Sequence, residues 1–133
     1  MLGHTAYPYT SSGTDTWDIL QVADADASKP ENVILVYSNS SVDGAQEYNG
    51  GQGWTREHLF PQSLMRAYAD TNDVPATDTH ALIPASLSCN AKRNNNRMGT
   101  LNGIQPDETC RLACDASAEV CEPADSIKGT PGL

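Results

Sequence analysis

The apolar positions fall in short groups separated by long polar stretches, a pattern that predicts many small elements rather than a few long ones. The longest apolar run, Val33-Ile34-Leu35-Val36-Tyr37, suits a buried strand and falls far short of the roughly 18 residues that a membrane span needs. Residues 7–13 read as a turn-rich entry. Residues 14–23 predict a helix: Thr14, Asp15 and Thr16 offer caps, and Trp17 and Leu20 are spaced to share a face. Lys29-Pro30-Glu31-Asn32 predicts a turn before the apolar strand. Asn49-Gly50-Gly51-Gln52-Gly53 predicts a flexible loop, since glycine adopts backbone angles that other residues avoid. Residues 54–60 then read as a strand ending at Pro61, and residues 79–84 alternate well enough for a second. The connection between them, 61–77, predicts a helical turn around 64–68. Residues 85–96 predict a helix capped by Ser86 and stopped by Gly99. From Thr100 onward the periodicity fades, and three of the four cysteines lie in what reads as an irregular tail.

A chain of 133 residues is a single domain's worth of length, and the expectation is one domain over 1–133. Met1-Leu2-Gly3-His4 has neither a basic start nor an apolar stretch, so no signal peptide is expected within this chain. The net charge of −9 speaks against nucleic-acid binding, because phosphate contacts run on basic side chains. Its distribution weakens that exclusion. Between residues 56 and 97 five bases face four acids, whereas the rest of the chain has three against thirteen. From Asp78 to Asp107 no acid intervenes, only Lys92, Arg93 and Arg97. The plain alternative is a solvated polar helix face.

Two stretches carry candidate chemistry. In Arg56-Glu57-His58 an imidazole able to take a proton from water at neutral pH adjoins a carboxylate, a hard oxygen ligand for a divalent cation. Neighbours on a regular strand point to opposite faces, so the two serve one site only where the strand is distorted or ends. The second stretch, Asp78-Thr79-His80-Ala81-Leu82-Ile83-Pro84-Ala85, leads to Asn90 and Arg93 in the next helix. The amide oxygen of Asn90 offers a neutral second ligand, and Mg2+ typically takes few protein ligands and keeps its waters. Arg93, one turn on, is placed to hold a phosphate oxygen or to fix the helix. His80 reads as a structural strand histidine.

The order Gly53-Trp54-Thr55-Arg56-Glu57-His58-Leu59-Phe60-Pro61-Gln62-Ser63, then the segment through Ala85, then Asn90-Ala91-Lys92-Arg93-Asn94-Asn95, resembles the endonuclease I family of secreted and periplasmic bacterial nucleases. Tyr7-Pro8-Tyr9-Thr10, Thr14-Asp15-Thr16-Trp17-Asp18-Ile19-Leu20 and Ser41-Val42-Asp43-Gly44-Ala45-Gln46-Glu47-Tyr48-Asn49 are similar to its N-terminal half, and Pro123-Ala124-Asp125-Ser126-Ile127-Lys128-Gly129 to a late segment. The resemblance implies an α+β fold with a ββα-metal (His-Me finger) core at about 54–97, an additional N-terminal helix and strand, and the irregular cysteine-containing tail. It implies a largely sequence-independent endonuclease that hydrolyses the phosphodiester bonds of DNA, and of RNA as a second substrate, to 5′-phosphate products. His58 would be the general base, Glu57 and Asn90 would hold Mg2+, with Mn2+ or Ca2+ as substitutes, and Arg93 would complete the catalytic set. Arg56, Lys92 and Arg97 would contact the nucleic-acid backbone. The expected partner is nucleic acid, not a membrane. The expected state is a monomer, and the expected location extracellular or periplasmic. Two departures stand out. A family arginine that helps stabilise the transition state from 61–77 has no clear counterpart, Arg66 being the one arginine in that stretch. Thr130-Pro131-Gly132-Leu133 breaks the helix that Lys128-Gly129 should open, so the C-terminal part reads as truncated relative to the family.

Cys89, Cys110, Cys114 and Cys121 allow two disulfides in three connectivities. A four-cysteine zinc site is the rival, disfavoured because the spacing lacks paired Cys-x2-Cys knuckles. A bridge from the tail to Cys89 would clamp the helix that carries Asn90. The alternatives to an enzyme are a catalytically inactive truncated relative and a disulfide- or zinc-stabilised secreted binding domain.

Overall fold

The computed structural model describes residues 7–60, 78–79 and 81–124 of the 133. The expectations for Pro61, Arg66, His80, the turn around 64–68 and the segment from Asp125 onward lie outside these residues. Among the described residues the fold is mixed α+β, with two helices and several small sheets. In chain order the elements are helix α1 (Thr16–Ala23), strands β1 (Ala25–Asp26), β2 (Lys29–Ile34) and β3 (Ser41–Asp43), a 3-10 turn (Asn49–Gly51), strands β4 (Trp54–His58) and β5 (Leu82–Ser86), helix α2 (Leu87–Arg93), and strands β6 (Arg97–Met98), β7 (Leu112–Asp115) and β8 (Val120–Pro123).

The antiparallel pair β4–β5 stands at the centre, in register from Trp54 opposite Ser86 to His58 opposite Leu82. Strand alternation sends its side chains to two separate cores. Trp54 and Leu82 pack with Trp17 and Leu20 of α1 and with Val33 and Leu35. Ala85 and Ile83 pack with Val36, Tyr37, Cys89, Cys110, Leu112 and Cys121. The first core is completed by the antiparallel sheet β1-β2-β3, the second by α2 and the sheet β6-β8-β7, in which β8 pairs parallel with β6 and antiparallel with β7.

Local chemistry explains the element boundaries. Asp15 caps α1 by accepting from the Trp17 and Asp18 amides, and Asp18 returns a bond to the Asp15 amide, which makes a reciprocal capping box. The helix therefore starts at Thr16, two residues later than expected. Ser86 caps α2 through the Cys89 amide, as the sequence predicts. The stop comes earlier than Gly99: Asn94 takes a positive φ of 49° and ends the helix at Arg93. Gly53 is required by close approach, since a Cβ there would fall 1.7 Å from the Gln46 carbonyl oxygen.

Three expectations are corrected. The turn lies at residues 27–28, where Asp26 accepts from the Ser28 amide and hydroxyl, and Lys29-Pro30-Glu31-Asn32 belongs to β2. Pro30 is tolerated because the β1–β2 register shifts there and its missing N–H costs no ladder bond. The apolar strand ends at Ile34. Val36 and Tyr37 stay buried but lie in a tight turn, with Tyr37 at φ 69° and the Leu35 amide bonded to the Ser40 carbonyl. The tail is not irregular: a hairpin of β7 and β8 pairs Cys114 opposite Cys121. Its short strands, two to four residues each in this sheet, are too brief for a period to emerge from the sequence.

Both disulfides are present, Cys89–Cys110 and Cys114–Cys121. All four thiols are thereby consumed, which overturns the zinc alternative. Cys89–Cys110 ties α2 to the segment before β7, the clamp expected from the sequence.

Candidate active site

Glu57 is the most deeply buried carboxylate of the described residues. It sits on the α2 side of β4 and is only 2% exposed. Its Oε1 accepts from the Tyr37 hydroxyl at 2.7 Å and from Arg93 Nη1 at 2.5 Å. Burial pushes its pKa up, while the hydroxyl and the guanidinium pull the other way. Both bonds fall on Oε1, so Oε2 takes none from the described residues.

Arg93 is equally buried, at 2%. Beyond Glu57, its Nη1 donates to the His58 carbonyl at 2.9 Å, Nη2 to the Leu59 carbonyl at 2.8 Å, and Nε to the Asn96 carbonyl at 2.8 Å. The guanidinium thus pins the end of β4 to the end of α2. Of the two roles the sequence suggests for Arg93, this arrangement is the second, fixing the helix.

Asn90 lies one turn before Arg93 on the same helix. With Thr55, Leu87, Ala91, Asn94 and Asn95 it lines an open cleft of about 340 Å³. Thr55 shares the face of β4 that carries Glu57, so α2 sets Asn90 and Arg93 along one side of that strand.

His58 is the last residue of β4 and points to the opposite face. It is 8% exposed. Its ring stacks on Tyr9, with centroids 5.5 Å apart and planes at 24°. The strand stays in regular register to this point, so the Glu57 and His58 side chains lie on opposite faces of β4.

The basic residues divide. Arg56 lies inside, its guanidinium between the Tyr9 ring at 3.5 Å and the Trp17 ring at 4.0 Å, donating to the Tyr9 carbonyl and to the Thr16 hydroxyl. A placement so enclosed sets Arg56 apart from the surface contacts expected of it, and burial lowers its pKa. Lys92 is half-buried in an ion pair with Asp107 and also donates to the Leu112 carbonyl. Arg97, in β6, is exposed.

Sequence reasoning missed Tyr37 and Tyr9. Tyr37 reads as the end of an apolar run, yet a buried tyrosine hydroxyl needs a partner, and that requirement was the available signal. Nothing local announces the Tyr9 stack, because its partners lie 47 and 49 residues away.

Among the described residues no group of three or more His, Cys, Asp or Glu could hold a metal ion. A divalent cation would instead rest on one carboxylate and one amide. The donor chemistry fits such an ion: both are hard oxygens, Oε1 of Glu57 is anchored, and Oε2 carries no protein bond from the described residues.

Residues 4–131 match the family model described as Endonuclease I. The chain is 37% identical over 129 residues to an extracellular ribonuclease of Bacillus amyloliquefaciens, covering 96% of this chain and 41% of that protein. It is also 37% identical over 95 residues to an extracellular ribonuclease of Bacillus subtilis strain 168, covering 70% of this chain and 30% of that protein. It thus spans less than half the length of these curated relatives. A match over nearly its whole length shows that the chain belongs to the Endonuclease I family.

Proposed function

We propose that the chain is a metal-dependent nuclease that hydrolyses phosphodiester bonds with little regard to sequence. The observation that carries this reading is the anchored Glu57 carboxylate, one residue before His58 at the end of β4, in a chain of the Endonuclease I family. The β4–β5–α2 succession, strand, antiparallel strand and helix, supports a ββα-metal core. Glu57 and Asn90 would hold Mg2+, which when bound would neutralise charge growing on the scissile phosphate and the departing 3′-oxygen.

The chain's own groups do the rest. His58 takes the proton of a water molecule, whose oxygen attacks phosphorus. The bond to the 3′-oxygen breaks, the product keeps a 5′-phosphate, and the 3′-oxygen takes a proton from solvent. Arg93 and Tyr37 hold Glu57 in place, and both favour its charged form against the burial that raises its pKa. Arg93 acts here as a positioning residue, since four of its five N–H donors are directed to Glu57 and three carbonyls. Of the three basic residues expected to contact the backbone, Arg97 is exposed, with Lys92 partly committed to Asp107 and Arg56 enclosed. Backbone contacts carry no base information, hence the weak sequence preference. The relatives are named for RNA, so RNA stands beside DNA as a substrate. Two disulfides favour an oxidising compartment, outside the cytosol.

The test uses supercoiled plasmid DNA and a long single-stranded RNA, with Mg2+ and with EDTA. Cleavage of either that EDTA abolishes, and that His58→Ala and Glu57→Gln each abolish, supports the reading. Cleavage that persists in EDTA or in His58→Ala removes it, and no cleavage by the pure wild type favours a binding domain instead.

A further inference from the structure

His58 closes a column of side chains that stands on the face of β4 opposite Glu57. Trp54 meets Trp17 edge-on, with centroids 4.8 Å apart. Trp17 lies against the Arg56 guanidinium, Arg56 against the Tyr9 ring, and Tyr9 against the His58 imidazole. Arg56 and His58 alternate along one strand, so a single ring laid over that face touches both.

Tyr9 is also fixed by its backbone. Its carbonyl accepts from the Thr16 hydroxyl at 2.7 Å and from Arg56 Nη1. The adjoining Pro8 carbonyl accepts from the Thr16 amide at 3.2 Å. The entry segment is therefore latched to the first turn of α1, and the capping box of that helix holds the latch. A cation between two aromatic faces, with a carbonyl beside it, gives the column a rigid middle.

We infer that Tyr9 is a positioning residue for His58: its ring, braced by Arg56 and Trp17, fixes the plane of the imidazole. This rests on the reading of His58 as the general base. The plane of an imidazole is set by what packs on its faces as well as by what its nitrogens bond, and a base must meet its water within hydrogen-bond reach. A ring stacked at 24° between planes restrains rotation of the imidazole through its face. The ring carries the effect, and the phenol oxygen does not.

The experiment compares wild type, Tyr9→Phe and Tyr9→Leu in the 133-residue chain, with far-ultraviolet circular dichroism to confirm folding. Steady-state cleavage of plasmid DNA and of single-stranded RNA with Mg2+ gives kcat and KM separately. Carbon-proton correlation spectra at fixed pH give the His58 ring protons, assigned by their loss in His58→Ala. Tyr9→Phe keeps kcat and KM within about twofold and leaves the His58 signals upfield. Tyr9→Leu lowers kcat about 10- to 100-fold with KM little changed, and its His58 signals move downfield as the ring current is lost. If Tyr9→Leu does not fold, Tyr9→Trp replaces it. A larger ring in the same place moves the His58 signals further upfield and keeps kcat.

Unchanged His58 signals and kcat in Tyr9→Leu, or unchanged His58 signals in Tyr9→Trp, overturn the inference. So does a Tyr9→Phe variant as impaired as Tyr9→Leu. If wild type and His58→Ala cleave equally, the reading of the base has failed, and with it the positioning role, while the ring-proton shifts still report whether the stack exists in solution.

Discussion

At the scale of single residues, two buried donors meet on one oxygen. Glu57 Oε1 receives Tyr37 and Arg93, and all three residues are buried. Removing a partner from a buried charge costs more than the bond itself was worth, because the remaining charge is left unpaired. Arg93→Leu strands Glu57 and three carbonyls at once, and we expect it to lose about 3–5 kcal/mol of stability in urea unfolding. Arg93→Lys should recover only part of this, since an ammonium cannot reproduce the fork that reaches β4 and Asn96 together. Tyr37→Phe removes one bond to a carboxylate and leaves the other, so the expected loss is smaller, about 1.5–3 kcal/mol. The identity of Glu57, His58 and Asn90 as chemically interesting residues was legible in the sequence, but their neighbours were not. A run of five apolar letters says nothing of a left-handed φ at Tyr37 that swings its hydroxyl toward a carboxylate twenty positions away.

At the scale of elements, caps and turns decide the boundaries, and these were only partly readable. Asp15 and Ser86 were visible as caps because their mechanism is local. The β7–β8 hairpin was invisible because its strands are short and its stabilisation comes from a disulfide and from packing on α2. Asp15→Ala should lose about 1 kcal/mol and loosen the entry segment as well, because Asp15 also accepts from the Ser11 amide. The turn at residues 27–28 gives a pH signature. The Ser41 and Ser28 hydroxyls and the Ser28 amide hold the Asp26 carboxyl down to a pKa of about 2. Its folded value is depressed, so its contribution is complete above the unfolded carboxylate range near pH 4 and is lost as pH falls through about 2. Ser41→Ala should raise the Asp26 pKa toward the ordinary value, as read by titrating its side-chain carbon resonance. An unmoved titration curve would show that the β3 hydroxyl does not matter.

At the scale of the whole molecule, the antiparallel pair β4–β5 separates two cores, and the disulfides serve the second of them. Cys89–Cys110 spans 21 positions and Cys114–Cys121 spans 7. In the chain-entropy account these loops contribute about 3.4 and 2.5 kcal/mol respectively, if the native state is unstrained. Replacing the first pair by alanine should lower the thermal midpoint more than replacing the second, as calorimetry would show. Reversal of that order would mean that native packing, rather than loop closure, sets their worth. The α+β class was legible from the outset. The partition into two cores was not, because only register decides which face of β4 each side chain meets.

The Glu57 carboxylate joins a turn at Tyr37, a strand and a helix ending at Arg93, three stretches that are remote along the chain. Such a knot cannot open by fraying from one side. Amide protons at its centre, Glu57 and His58 among them, should exchange with deuterium only when the entire molecule unfolds, and should follow its global free energy as denaturant is added. Those at the edge formed by β1 and β3 should exchange through small, denaturant-insensitive openings. The carboxylate is thus a point of shared fate, through which damage to either half reaches the other.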